Sequence, residues 1–257
     1  MYQGKIILIY SPKGGTGSTT ITANLAVALH SEKNPVVVVD GRLHYGDVSF
    51  FFNEQARNNV SDLTSRADEL DPEIIEDVLV NHGDTGIKIL AAPPRPEQAE
   101  GIRGEQFSKV LKYLANNFAY VIVDTSSGLD DVTLNAIESA DIINLVVTQD
   151  IPAIKNARLF LNLVDAFGMD RKNIVVTLNM FDKRKNVTPE RIADITKQPV
   201  IASIPSDEKL VSPAMDKGEP FIAKNKNHPV SKALLQMAKE IVEKIKEIEN
   251  TAIEQLN

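Results

Sequence analysis

"KIILIYSPKGGTGSTTITANLAVAL", residues 5–29, joins three patterns without a break. Residues 5–10 form an apolar run of strand length, residues 21–29 repeat apolar side chains at helical spacing, and a glycine-rich decapeptide lies between them. A strand that passes through such a loop directly into a helix makes an anion site. Gly14, Gly15 and Gly17 let successive backbone N–H groups converge, and the helix N-terminus adds about half a positive charge. Thr19 is placed to give its hydroxyl to Mg2+ and Thr20 to reach a phosphate oxygen. Ser18 breaks the pattern, because a phosphate-binding loop ordinarily carries lysine there.

The flanking sequence places that loop at the carboxyl ends of the strands of a sheet. Further β-branched runs occur at 36–40, 87–91, 120–124, 142–148, 173–178 and 200–204, with helical periodicity between them. Asp71-Pro72-Glu73 and Thr188-Pro189-Glu190 each set a capping side chain before a proline at a helix start. The closing helix presents Leu234, Leu235, Ala238, Ile241, Val242, Ile245 and Ile248 on one face. Strands that are apolar at nearly every position and alternate with helices predict an α/β fold, a mostly parallel sheet covered by helices on both faces. In such a sheet ligands bind beyond the carboxyl ends of the strands, where residues 11–20 lie.

Composition narrows the chemistry. A chain of 257 residues with 43% apolar and 25% charged residues is expected to form one domain over 1–257. Its longest apolar runs fall far short of the roughly 20 residues of a membrane helix, so no membrane insertion and a cytoplasmic location are expected. Cysteine is absent, which excludes disulfides, thiolate catalysis and cysteine-held metal centres within the chain. The net charge of -7 disfavours an extended nucleic-acid surface.

"KGGTGSTT", residues 13–20, resembles the deviant Walker motif K-G-G-x-G-K-[ST]-[ST] of the ParA/MinD superfamily. The resemblance implies the P-loop NTPase fold of the SIMIBI type, with ATP and Mg2+ as cofactors and Lys13, Gly14, Gly15, Thr16, Gly17, Ser18, Thr19 and Thr20 around the phosphates. Lys13 matches the signature lysine that in this family reaches the nucleotide of a second subunit, which implies a nucleotide-sandwich homodimer. Asp40 matches the first switch carboxylate, and Asp124 in "YVIVDTSSGLDD" matches the Walker B aspartate that orients the magnesium shell. Asn179 in "VVTLNM" is similar to the adenine-reading asparagine, and Pro205 to Asp207 to the segment lining the adenine.

Within the superfamily, "VVVVDGRLHYGDVSFFFN", "GIKILAAPPRPEQAEGI" and "VVTQDIPAIKNARLFLNLV" are similar to the CpaE/TadZ branch. That likeness implies recruitment to a cell pole and partners in pilus or secretion assembly. The branch usually carries a receiver-like N-terminal domain, which is expected to be absent from this chain because its first strand begins near residue 4. Two positions depart from the family. Ser18 offers a hydrogen bond but no charge, and Arg42 stands where the family has a second carboxylate that positions the attacking water. Together they imply retained binding with slow or absent hydrolysis, Arg42 returning positive charge to the γ-phosphate, or else pointing to solvent or pairing with Asp47 or Asp130. A ParA-type partition ATPase that binds DNA non-specifically is the second reading, with "DKRK" (182–185) and "AKNKNH" (223–228) as its basic segments. A MinD-like membrane cycle is disfavoured, because the last helix is mildly acidic and lacks an aromatic anchor.

Overall fold

A strand that is apolar at every position needs cover on both faces, so the runs at 5–10 and 36–40 belong in the middle of a sheet. The computed structural model, which describes residues 2–256, places them there. Strands β1 (Lys5–Tyr10), β2 (Val36–Gly41), β3 (Val80–Asn81), β4 (Lys88–Leu90), β5 (Tyr120–Thr125), β6 (Ile142–Val147), β7 (Ile174–Phe181) and β8 (Val200–Pro205) form one sheet. Their order is β3-β4-β2-β5-β1-β6-β7-β8, parallel throughout except for β3 against β4. The chain crosses from one side of β1 to the other between β5 and β6. The loop after β1 therefore opens at a point where strand order reverses, the usual place for a ligand in this architecture.

Two apolar layers hold the sheet, and side-chain alternation assigns residues to them. Ile7, Ile9, Val36, Val38 and Ile122 pack under α1 (Ser18–Leu29) and α9 (Pro229–Leu256). Ile6, Leu8, Val37, Val39, Val121 and Val123 face the opposite way. There they meet α4 (Gly104–Ala115), α5 (Asp131–Ser139) and α6 (Ile151–Ala166) through Phe107, Ala136 and Leu161. Each such aliphatic side chain, wholly withdrawn from water, is worth about 1.5–3 kcal/mol. The short helices α2 (Val60–Thr64) and α3 (Pro72–Val78) extend this second layer, as does α7 (Pro189–Thr196) through Ile192. The remaining helix, α8 (Glu208–Lys217), follows β8 and buries none of its residues.

The prolines at 72 and 189 begin α3 and α7, with Asp71 and Thr188 accepting backbone N–H groups as N-caps. Two details differ from the sequence reading. The edge strand β3 has two residues, too few to show any periodicity. Leu235, expected on the core face of the closing helix, is 38% exposed, and Met237, outside the expected face, is fully buried. The core face of α9 is set by Leu234, Met237, Ala238, Ile241 and Ile245, a narrower stripe than the apolar residues alone suggest. Among the described residues no helix is long and apolar enough to cross a membrane.

Candidate nucleotide site

Most helix starts in this protein are closed by a side chain: Asp71, Asp130, Asp150, Thr188 and Asp207 each accept a backbone N–H. Helix α1 is left open. Its N-cap is Gly17, with no side-chain cap and no acidic residue in the first turn. Gly15 and Gly17 adopt φ values of 77° and 82°, the left-handed region that glycine enters without penalty. A Cβ at Gly15 would point into open space, whereas one at Gly17 would come within 2.5 Å of Asn179 Nδ2. The loop is thus backed by protein on one side and free on the other. Ser11 Oγ and Thr16 Oγ1 are buried without a hydrogen-bond partner, hydroxyl capacity that ordinarily does not go unused. Ser11, Ser18, Thr19 and Arg42 share a cleft of about 290 Å³.

Two carboxylates lie beneath the cleft. Asp40 and Asp124 are register partners on β2 and β5, and both are buried. Asp40 accepts the Arg42 N–H at 3.1 Å and the Val48 N–H at 3.0 Å. Gly46 packs so closely over it that an added Cβ would fall 2.4 Å from Asp40 Oδ2. Asp124 accepts the Thr19 hydroxyl at 2.6 Å and the Thr22 hydroxyl at 3.4 Å. Burial, reinforced by the Asp124 charge, pushes the Asp40 carboxyl up to about 7. Burial also raises Asp124, to about 6, against the opposing pull of Thr19 and Arg42. Two carboxylates this close need a cation nearby to stay ionised together. The donors are hydroxyl and carboxylate oxygens, which suit Mg2+. Among the described residues no three His, Cys, Asp or Glu side chains gather to hold a metal. Phosphate oxygens and water would have to complete a coordination shell begun by Thr19.

Arg42 is the cation present. Its Nη1 lies 3.3 Å from Thr19 Oγ1 and 3.2 Å from Asp47 Oδ2. It pairs with Asp47 rather than with Asp130, whose carboxylate caps α5 and accepts from Ser126. The single loop atom to which it donates is the Thr19 hydroxyl.

A second cavity, of about 490 Å³, continues from Gly15, Gly17 and Thr20 towards Asn179, Pro205 and Asp207. Strand β7 breaks register with β8 between Leu178 and Phe181, where Met180 takes a left-handed φ of 53°. At this break the Asn179 amide donates to Thr16 O at 2.7 Å. Its carbonyl oxygen remains available as an acceptor. Asp207 caps α8 and stands 3.4 Å from His228 Nε2. The structure thus brings Asn179, Pro205 and Asp207 onto one wall, although they are up to 28 positions apart in sequence.

Lys13 lines the same cleft and is tied to the residue that caps α6. Its Nζ lies 3.2 Å from Asp150 Oδ2, with both side chains about one-third exposed. Burial raises the Asp150 carboxyl, but hydrogen bonds from Thr148, the Ala153 amide and Lys13 outweigh it and hold the group below its ordinary value. Asn156 fixes the same segment by donating to Pro12 O at 3.0 Å. Sequence reasoning missed Asp150 and Asn156, which lie 130 or more positions from the loop. Their only sequence signal is the Asp-Ile-Pro start of α6, which reads as a cap.

Comparison with known proteins gives a consistent result. A family model for ParA, described as NUBPL iron-transfer P-loop NTPase, matches residues 3–242. The septum site-determining protein MinD of Synechocystis sp. is 26% identical over 227 residues, covering 87% of this chain and 84% of the relative. The structure of MinD complexed with Mg-ADP from Pyrococcus horikoshii superposes with a TM-score of 0.80 at 25% identity, covering 93% of this chain and 96% of the other. A ParA family ATPase from Chlorobium tepidum shares the fold, with a TM-score of 0.85 at 24% identity over 91% of this chain and 98% of its own.

Proposed function

The chain belongs to the ParA family, and from that premise we propose that it is an ATP-binding switch that dimerises around its nucleotide and hydrolyses it slowly or not at all. One observation carries the reading: the guanidinium of Arg42 is docked 3.3 Å from Thr19 Oγ1, in a loop whose usual lysine is Ser18. The open N-terminus of α1, the unpartnered hydroxyls of Ser11 and Thr16 and the positive charge of Arg42 favour a polyphosphate. A cation beside Thr19, above the buried Asp40 and Asp124, would neutralise charge on the phosphates. Asn179, Pro205 and Asp207 form the wall offered to the base, and the related MinD structure that contains Mg-ADP supports this choice of nucleotide.

Hydrolysis needs more than grip. A P-loop lysine stabilises the charge that develops as the phosphoryl group transfers, and a carboxylate orients the water; here the corresponding positions hold Ser18 and Arg42. Lys13, released from Asp150, is the group that would reach a second subunit. Tyr45, Phe50 and Ile151 are largely exposed on the segments that carry Arg42 and Asp150, apolar surface suited to an interface. A role in positioning pilus or secretion machinery, with recruitment from the cytoplasm to a cell pole, follows from the sequence likeness to the CpaE/TadZ branch. The iron transfer in the family description does not extend to this chain, which has no cysteine to hold iron through thiolate. The partition reading is weakened by ion pairing in both basic segments, Arg184 with Asp182 and Lys224 with Glu219.

Thermal melts and phosphate-release assays test the proposal together. ATP at about 100 times its dissociation constant should stabilise the fold by about 2.7 kcal/mol, while phosphate release stays below the rate of a lysine-bearing ParA-family ATPase. No shift with saturating ATP, or turnover at the rate of a lysine-bearing ParA-family ATPase, would overturn it.

A further inference from the structure

We infer that Arg42 takes the place of the divalent cation, so that this protein holds ATP with little dependence on Mg2+. The inference rests on the ATP-binding reading above and goes beyond lysine replacement. Arg42 donates to the one loop oxygen from which a magnesium ion would be held. Thr19 Oγ1 gives its own proton to Asp124 at 2.6 Å and accepts from Arg42 Nη1 at 3.3 Å, which leaves it one free lone pair.

A magnesium ion bound through that lone pair, at about 2.1 Å from the oxygen, would sit within a few ångströms of the guanidinium. Two cations sharing one hydroxyl repel strongly in a cleft walled by buried groups. Metal ligation at Thr19 and the docked arrangement of Arg42 therefore exclude one another.

The surroundings hold Arg42 in that place. Asp47 pairs with it from the outer side at 3.2 Å. Its backbone N–H is anchored on Asp40 at 3.1 Å. The Asp124 carboxylate lies one hydrogen bond further, beyond Thr19. The guanidinium thus stands among Asp40, Asp47 and Asp124, the negative charge a bound metal would otherwise balance. It is a single charge where magnesium brings two, but it is covalently attached and needs no dehydration to enter. Its side chain keeps 33% exposure, and donors beyond those used on Thr19 and Asp47 remain for phosphate oxygens.

The test is ATP affinity measured by calorimetric titration in excess magnesium chloride and again in EDTA, for the wild type, Arg42→Ala, Arg42→Gln and Arg42→Lys. Chelation should weaken the wild type by less than about threefold. It should weaken Arg42→Ala and Arg42→Gln by more than about tenfold, equivalent to about 1.4 kcal/mol. Arg42→Lys, which keeps a cation, should stay close to the wild type. A tenfold or greater loss in the wild type on chelation overturns the inference while leaving ATP binding intact, as does equal insensitivity in the wild type and Arg42→Ala. No binding of ATP by the wild type in either buffer overturns the nucleotide reading itself, and this inference with it. Melting curves in both buffers confirm that each variant is folded.

Discussion

Asp40 and Asp124 show how two ordinary residues acquire unusual chemistry from position alone. Each is the penultimate residue of an almost wholly buried strand, and parallel pairing sets them side by side. Burial, above all, lifts Asp40 to about 7 and Asp124 to about 6. With folded values above those of the unfolded chain, the native state holds protons that the unfolded state has lost. The stability these groups contribute is fully present below about pH 4 and is lost as pH rises to about 7. The protons belong to the pair rather than to either residue. We expect the nucleotide-free wild type to lose stability relative to Asp40→Asn between pH 5 and pH 8. His30, whose burial lowers its value, slopes the opposite way in both proteins and cancels from the difference. Urea titrations of the two proteins across that range check the sign; parallel curves would contradict it.

At the scale of the element, α1 and α9 divide the work on one face of the sheet. Helix α1 forgoes a side-chain cap, so its place must be secured by packing. Ile21, Leu25 and Ala26 supply that packing, and Asn24 adds a hydrogen bond to the Ile222 N–H at 3.0 Å. Helix α9 covers the same layer with Met237 and Ile241, both without exposure. Met237→Ala should therefore cost about 2–5 kcal/mol through the cavity it leaves. Leu235→Ala, on the same helix but 38% exposed, should cost much less. Equal losses in chemical denaturation would show that the core face of α9 has been assigned wrongly. Periodicity alone assigns Leu235 to that face, because an apolar side chain at the border of a stripe carries the same letter whether covered or not.

At the scale of the whole molecule, Lys13 is the residue with two possible partners. Within the single chain it pairs with Asp150 at 3.2 Å, and a pair this exposed is worth only about 0–1 kcal/mol. Such a contact holds the side chain in place without locking it. Asp150→Asn keeps an N-cap for α6 but frees the lysine, and should strengthen ATP-dependent dimerisation by no more than about fivefold. Lys13→Ala should abolish dimerisation. Light scattering with and without ATP on the wild type and both variants measures this, and a monomer mass in every sample would rule out the nucleotide-sandwich dimer.

Much of this arrangement was legible from local patterns. The β-branched runs, the loop "SPKGGTGSTT" and the proline-started helices each depend on residues within a few positions of one another, so the order of strands and helices and the anion loop could be read directly. The sequence also showed that Ser18 and Arg42 carry unexpected side chains. It offered Asp47 as a partner of Arg42 but did not show the contact with Thr19, which lies 23 positions away on another element. Nor did it pair Lys13 with Asp150, or turn Asn179 onto the loop through a register break. Strand order brings those groups together, and strand order is chosen by the burial of both sheet faces at once. Local periodicity determined which elements this chain forms; the packing of two apolar layers decided which charged side chains meet between them.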